Sequence, residues 1–330
     1  MLVESLRYIA SAGLVLGLMA GPALAENLRY AHVGSEGDIQ TRYAEEATAA
    51  IKAATDDRIT VQVFPASQLG GVAELVDGVR IGSIQMGHHD FASLARIAPE
   101  VAVFNAPFIY RDGAHALSAT DPRTSRALQE INEKLIREGG VRIIGRLYRG
   151  ARHISSNFEV KSPDDLAGKA FRAVPLDLWV SMVKGFGATP TPVEVSELPT
   201  ALMTGLVVGQ ENPLTMISAN KLNEVQSHVA MTGHMQSVLA IFVNEAAWQR
   251  LDEVDRTTIT EVLDRKAKES LRWAQDSEGE LIAQLTGAGM TFVTTENGLD
   301  LDAFRTQVLK QINADFPEYT AYIEQISAVE

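Results

Sequence analysis

The feature that most constrains the fold is a stretch of 35 residues, Leu251 to Leu285, that contains no proline and only one glycine, Gly279. Apolar side chains recur along it at steps of three and four residues, the spacing of one face of an α-helix. At about 1.5 Å per residue such a helix would run about 50 Å, which is longer than one compact lobe can cover. The sequence therefore predicts a single helix that lies across two lobes; the alternative is two helices with a break near Gly279.

The remainder of the chain alternates short β-branched segments with amphipathic helical segments. Strands are predicted at Asn27–Val33, Ile59–Phe64, Ile84–Gly87, Val141–Leu147, Arg152–Ser155, Lys169–Ala173, Ala188–Val193 and Leu206–Glu211. This βαβ order is typical of α/β lobes built on largely parallel sheets. The same order starts again after Arg149, and 330 residues exceed what one core usually holds. Two α/β lobes are therefore expected. Because no linker rich in proline, glycine or serine separates them, crossing strands are expected to join them near residue 150.

The first 25 residues have the pattern of a secretory signal peptide. Arg7 lies in the leader, the segment Ile9–Met19 is apolar, and Ala23-Leu24-Ala25 gives the small-residue pattern of a cleavage site, so the mature chain is predicted to begin at Glu26. The alternative is a membrane anchor, but the apolar segment is shorter than the ~20 residues that a span needs. The chain has no cysteine, which excludes disulfides, thiolate metal sites and a lipid-anchored lipoprotein. A free periplasmic protein is expected.

Charge and motifs exclude several classes of function. The chain has 29 basic and 42 acidic side chains, and its net charge of −13 leaves no basic excess for nucleic acid or for an anionic membrane surface. It contains no G-x-S-x-G, H-E-x-x-H or G-x-x-x-x-G-K-S/T motif, so neither an enzyme nor a cofactor site is expected. His88, His89 and Asp90 suggest a metal site. Adjacent side chains on a strand point to opposite faces, however, so the two histidines are not expected to bind one ion.

Two arginines and an asparagine form the candidate anion site. Arg152 lies at the predicted crossing between the lobes, and Arg172 lies at the C-terminal end of a predicted strand. In parallel α/β sheets these strand ends border the cleft in which ligands bind. The planar fork of arginine donates two parallel hydrogen bonds to a carboxylate, which lysine cannot do. Asn212 precedes Pro213 at another strand end, where its amide would face the same cleft. The alternatives are solvent-exposed arginines and an Asn-Pro turn.

These segments, in their order and spacing, resemble the solute-binding subunits of tripartite ATP-independent periplasmic (TRAP) transporters of the dicarboxylate-binding type. The resemblance extends from Leu28 to about Gln325. Its motifs, in chain order, are Ser67-Gln68-Leu69-Gly70, Pro190-Thr191-Pro192, Gly209-Gln210-Glu211-Asn212-Pro213, Lys221-Leu222-Asn223-Glu224-Val225-Gln226 and Thr232-Gly233-His234. Their combination is far more specific than any one of them. A polar position that the family usually has after the first strand has no clear match near Val33-Gly34.

The resemblance implies a two-lobed periplasmic binding protein fold, in which each lobe is a mainly parallel sheet flanked by helices and a long helix spans both lobes. It implies lobes of residues 26–149 with about 238–277, and of residues 150–237 with about 278–330. It also implies capture of an organic acid, such as a carboxylic or sugar acid, in an interlobe cleft by hinge closure. The partners would be the membrane permease subunits of a TRAP transporter. No cofactor, metal or nucleic acid is implied, and a monomer is expected.

The resemblance also assigns roles to residues in the matching motifs. Arg172 corresponds to the family's main carboxylate clamp, Arg152 to its second arginine, and Asn212 to the asparagine at the start of a helix. The remaining candidate ligand-binding residues are Asp90, His89, His88, Glu74, Trp179, Tyr148 and Glu211. Two alternative functions stay open on the residues alone: a periplasmic binding protein of an ATP-driven transporter, and a secreted hydrolase.

Overall fold

The computed structural model describes residues 26–329, so the predicted signal peptide lies outside the described residues. The strands are β1 (Glu26–Ala31), β2 (Ile59–Phe64), β3 (Met86–Asp90), β4 (Val141–Ser156), β5 (Ala170–Ala173), β6 (Thr189–Pro192), β7 (Gly209–Pro213), β8 (His228–Asn244) and β9 (Thr291–Val293). The α-helices are α1 (Ile39–Ala54), α2 (Val72–Ile81), α3 (Gly113–Ala119), α4 (Arg126–Gly139), α5 (Asp177–Gly185), α6 (Leu198–Met203), α7 (Leu214–Ala219), α8 (Glu245–Arg250), α9 (Glu253–Gly287), α10 (Leu301–Asp315) and α11 (Thr320–Ser327). Among the described helices, none combines the length and the apolar character that a membrane crossing requires.

Each of the two lobes contains parallel strand pairs, and antiparallel pairs link them to the two longest strands, β4 and β8. In the larger sheet the order is β2-β1-β3-β8-β4-β7, with β9 paired to β8, and β5 and β6 form a separate pair. Lobe I is built on β1, which runs parallel to β2 and β3. Lobe II is built on the parallel pair β5 and β6, together with β7 and β9. Helices flank both lobes, which is the α/β fold that the sequence predicts.

Two long antiparallel strands cross from one lobe to the other. β4 has 16 residues and β8 has 17, and they pair along most of their length. In lobe I β8 also pairs with β3, whereas in lobe II β4 pairs with β7 and β8 pairs with β9. The sequence predicted two separate strands where the structure has one continuous β4. A register shift between Tyr148 and Ala151 marks the crossing, and Gly150 has a φ of +106° there, a conformation that favours glycine.

Each lobe buries the apolar faces of its strands against helices. In lobe I, Tyr30 of β1 and Tyr43 of α1 pack together with Leu263 of α9. In lobe II, the rings of Phe186 and Phe304 meet edge to face with centroids 5.9 Å apart, which holds α5 against α10. This packing holds the ends of the strands in place, and the residues at those ends form the surface between the lobes.

α9 is the long helix that the sequence predicts. Its 35 residues run without a break from Glu253 to Gly287, so the alternative of two helices is wrong. Gly279 lies on an exposed face, where an added Cβ would meet nothing within 4 Å, and the helix continues through it. α9 packs on α1 and β4 and also on α7 of lobe II, so it spans both lobes. Val254, which the helical pattern assigned to the apolar face, lies in the first turn and is 67% exposed.

An ion-pair cluster holds α9 against β4. The Asp264 carboxylate accepts hydrogen bonds of 2.9 Å from Arg146 of β4 and from Lys268, and it lies 2.6 Å from Arg123. Arg146 is buried and also lies 3.0 Å from Asp121. Burial opposes ionisation of Asp264, but the hydrogen bonds from Lys268 and Arg123 and the charge of Arg146 outweigh it and lower its pKa to about 2. Because this pKa is depressed, the stabilisation is present above the ordinary pKa of about 4 and is lost as the pH falls towards 2.

We expect Asp264→Ala to lower the free energy of unfolding by about 3 kcal/mol at neutral pH, because it leaves the buried Arg146 only partly compensated. Urea unfolding followed by circular dichroism measures the change. Glu261→Ala, at an exposed position of the same helix, is the control and should change the free energy by less than about 0.5 kcal/mol. Equal stability of the two variants would contradict the role of the cluster.

Candidate ligand-binding site

A cavity of about 20 Å³ lies between the two lobes. Its lining residues are Val33, Val72, His89, Asp90, Arg149, Arg152, Arg172, Val174, Glu194, Val195, Asn212 and Met216. It lies where β1, β3, β5, β6 and β7 end, which is the edge at which α/β proteins bind ligands. A cavity of this volume holds about one water molecule. The lobes are therefore closed on each other, and they must separate before a larger molecule can enter.

Arg172 is buried near the end of β5 and lines the cavity. Its Nε donates a hydrogen bond to the carbonyl oxygen of Val193, 2.9 Å away, and within residues 26–329 its two terminal nitrogens have no hydrogen-bond partner. The bond at Nε orients the fork, so both terminal nitrogens are available to a carboxylate. Burial lowers the pKa of Arg172 to about 10 against the attraction of Glu211, so the side chain stays cationic at neutral pH.

Arg152 is held by a buried network behind the cavity. Its Nε and Nη2 donate to the two carboxylate oxygens of Glu211 at 2.5 and 2.6 Å. The same carboxylate accepts a hydrogen bond of 2.9 Å from Trp179 Nε1 and lies 3.0 Å from His234 Nε2. Burial opposes ionisation of Glu211, but the charge and hydrogen bonds of Arg152 outweigh it and lower its pKa to about 2. Trp179 and Glu211 therefore support Arg152 from behind and do not line the cavity.

One nitrogen of Arg152 is left for a ligand. Within the described part of the chain, its buried Nη1 has no hydrogen-bond partner. A buried donor without an acceptor is unfavourable. Because Arg152 lines the cavity, an anion bound there would satisfy it.

Arg149 also lines the cavity, next to Asp90 and His89. Its Nη2 lies 3.6 Å from Asp90 Oδ2, and its Nε donates to Ser237 Oγ at 2.9 Å. Asp90 Oδ1 and His89 Nδ1 are buried and have no partner among the described residues, so both can meet ligand hydroxyl groups. Burial lowers the pKa of His89 to about 4, and its ring is therefore neutral at pH 7.

Sequence reasoning did not select Arg149, and the irregularity of β4 is the reason. In a regular strand, residues three apart such as Arg149 and Arg152 point to opposite faces. The register shift between Tyr148 and Ala151 inserts extra residues on this strand, as a β-bulge does. Both arginines therefore reach the same cavity. Gly150 is the only sequence signal of this shift.

Three guanidinium groups converge on the cavity, those of Arg149, Arg152 and Arg172, and all three are buried. Arg152 is paired with Glu211, and Arg149 lies beside Asp90. Among the described residues, the terminal nitrogens of Arg172 have no hydrogen-bond partner, and a buried cationic donor without an acceptor is unfavourable. The arrangement can therefore bind a carboxylate at Arg172.

The other candidate residues divide between the cavity and its surroundings. Asn212 lines the cavity, as its position before Pro213 suggests. Glu74 lies on the exposed face of α2 and does not line the cavity. Tyr148 lines a different cavity, on the side of the crossing strands that faces α9.

His88 and His89 point to opposite sides of β3, as the strand pattern predicts. His88 Nδ1 lies 2.7 Å from the Tyr30 hydroxyl and its Nε2 lies 3.2 Å from Gln40 Oε1. Its ring stacks on His32 with centroids 4.6 Å apart. His88 thus belongs to the interior of lobe I and not to the cavity. Within residues 26–329, no group of three or more metal-binding side chains converges on one point.

Comparison with known proteins gives the family. The sequence model described as "Bacterial extracellular solute-binding protein, family 7" matches residues 30–316. A solute-binding protein of Verminephrobacter eiseniae is 30% identical over 308 residues, which cover 92% of this chain and 88% of that protein.

Two solved structures share the fold. A TRAP periplasmic solute-binding protein of Roseobacter denitrificans with bound L-galactonate is 28% identical with a TM-score of 0.83, and the match covers 92% of this chain and 99% of that one. A TRAP periplasmic solute-binding protein of a Polaromonas species, bound to D-erythronate, gives the same identity, coverage and TM-score. Since the family match extends over most of a chain with two lobes, a spanning helix and an interlobe cavity lined by three arginines, this protein belongs to the bacterial extracellular solute-binding protein family 7.

Proposed function

We propose that this chain is a periplasmic solute-binding protein that captures a hydroxylated monocarboxylic acid in the interlobe cavity and delivers it to the membrane permease of a TRAP transporter. The observation that carries the proposal is the buried Arg172, which lines the interlobe cavity and whose terminal nitrogens have no partner within residues 26–329. The ligands of two relatives, L-galactonate and D-erythronate, support the class of acid. Both are carboxylates with several hydroxyl groups.

The proposed roles follow from the groups that each side chain offers. Arg172 holds the carboxylate through its two terminal nitrogens, and Arg152 Nη1 adds a third donor. Asp90 Oδ1 and His89 Nδ1 meet hydroxyl groups. The Asn212 side chain lies in the same wall and orients the acid.

Capture requires that the lobes open and close. The proposed lobes are residues 26–149 with about 238–277, and residues 150–237 with about 278–330. Their hinge would lie at the register shift in β4, where the crossing strands pass between them. A ligand that contacts both lobes favours the closed state, which the permease would recognise. We further propose that the signal peptide is cleaved before Glu26 and that the mature protein acts as a monomer.

Arg172→Ala should weaken binding of L-galactonate at least 30-fold, because loss of one partner of a buried charge pair costs about 2–5 kcal/mol. Arg172→Lys should also bind weakly, since lysine lacks the fork. Isothermal titration calorimetry with L-galactonate, D-erythronate and related acids measures the affinities. Arg265→Ala, an exposed arginine on α9, is the control. An unchanged dissociation constant for Arg172→Ala would refute the clamp, and a wild-type protein that binds no acid of the panel would refute the function.

The affinity for the acid should be constant from about pH 5 to about pH 9. Burial lowers the pKa of free Arg172 to about 10, so binding weakens above that range as the guanidinium loses its proton. Below about pH 4 it weakens because the carboxylate of the ligand is protonated. Titrations across this range test the profile. An inflection near pH 6.5, the ordinary histidine value, would contradict the neutral His89 of the site.

Ligand should shorten the distance between the lobes. Because the chain has no cysteine, single spin labels can be attached after Lys52→Cys on α1 and Lys184→Cys on α5, two exposed positions. Pulsed electron paramagnetic resonance should give a broad distribution of long distances between the labels without acid. With saturating acid the distribution should be narrow and centred at a shorter distance. The same labels in Arg172→Ala provide the control. Identical distributions with and without bound acid would rule out the hinge.

A further inference from the structure

One acidic side chain reaches the cavity from its rim. Glu194 follows β6 in lobe II and lines the cavity that Arg172 also lines. Its carboxylate lies against Gly71 of lobe I, where an added Cβ would come within 2.9 Å of Glu194 Cδ and Oε1. The contact therefore crosses the cleft, and because it joins residues far apart in the chain, no local pattern predicts it.

The contact places the carboxylate beside the start of α2. Gly71 is the residue before α2 and has no side chain with which to cap that helix. The first N–H groups of a helix lack internal partners and carry partial positive charge. The Glu194 carboxylate lies against Gly71 at this helix start, from the opposite lobe. Where the lobes meet, the Glu194 charge thus lies on the cavity wall.

The position of Glu194 determines which ligand groups, other than the carboxylate bound by Arg172, are attracted or repelled at the cavity wall. Burial lowers the pKa of Arg172, and the nearby carboxylates, of which Glu194 is one, act in the opposite direction. The charges of Glu194 and Arg172 therefore interact within the site. Once the lobes have separated enough to admit an acid, its groups beyond the carboxylate held by Arg172 would meet the wall that Glu194 lines. Hydroxyl groups can donate to the Glu194 carboxylate. A second carboxylate cannot, and it is repelled.

We propose that Glu194 is a specificity-determining residue that restricts the site to acids with a single negative charge and rejects the dianions of the same carbon chain. The inference rests on the proposed function, since it presupposes that Arg172 holds a carboxylate. It follows the general rule that discrimination often comes from a repulsive contact with the wrong ligand. The contact with Gly71 makes the repulsion effective, because it keeps the carboxylate at the cavity wall where the lobes meet.

Two pairs of acids test the proposal, because the members of each pair differ at one terminal carbon. L-galactonate ends in a hydroxymethyl group where galactarate has a second carboxylate, and D-erythronate and meso-tartrate differ in the same way. Calorimetry measures the ratio of the two dissociation constants in each pair. The variant is Glu194→Gln, which removes the charge and keeps the size and shape of the side chain. Glu197→Gln, an exposed position three residues further on, is the matched control.

Wild-type protein should bind the monoanion of a pair at least 10-fold more tightly than the dianion. Glu194→Gln should reduce this preference at least 10-fold by improving binding of the dianion, while Glu197→Gln should alter it less than 2-fold, on the order expected for an exposed charge. Wild-type protein that binds the two acids equally, or a preference that survives Glu194→Gln, would overturn the inference but leave the proposed function intact.

Glu194→Ala separates specificity from closure. If Glu194 served only to hold the lobes together through its contact with Gly71, its loss would weaken both acids of a pair equally and leave their ratio unchanged, and that result would overturn the inference. If wild-type protein bound neither pair, the proposed function would fail and this inference with it.

Discussion

The site depends on the ion pair between Arg152 and Glu211. It joins β4 to β7, and Trp179 from α5 and His234 from β8 bind the same carboxylate. Four elements are thus tied to one buried negative charge. That charge compensates Arg152 and leaves one guanidinium nitrogen for the cavity. Without it, the adjacent buried arginines would repel one another, and the walls would lack both their charge balance and their fixed geometry.

The strand topology brings several arginines to one cavity, which favours acids as ligands. The ends of five strands meet at the cavity, so arginines from different parts of the sequence converge there. Arg172 contributes a fork that its Nε bond orients, and Arg149 is turned inwards by the irregularity of β4. The surrounding protein excludes water, which strengthens each of these interactions. In the proposed function the fork of Arg172 selects acids as ligands, and Glu194 of the cavity wall is proposed to select among them.

Several features could be predicted from the sequence because local patterns determine them. The absence of proline over Leu251–Leu285 and its helical spacing predicted α9, and motif position brought Arg152, Arg172 and Asn212 to one cavity. Predictions failed where a distant contact decides. The two strands predicted on either side of residue 150 form a single β4, because pairing with β8 carries the chain through Gly150. Arg149 depends on that bulge, and the contact between Glu194 and Gly71 exists only when the lobes meet. Neither the orientation of Arg149 nor the contact between Glu194 and Gly71 can be predicted from the spacing of residues along the chain.

The continuity of β4 and β8 has a consequence for how the protein melts. Each of these strands contributes hydrogen bonds to both lobes, and α9 is packed on both. Unfolding of one lobe would therefore remove hydrogen-bond partners from β4 and β8, which also belong to the other lobe. In the proposed hinge motion the two lobes move as separate bodies, yet the shared strands are expected to couple their unfolding into one cooperative unit. Opening to admit a ligand would then bend intact strands and keep their hydrogen bonds, without local unfolding of either lobe.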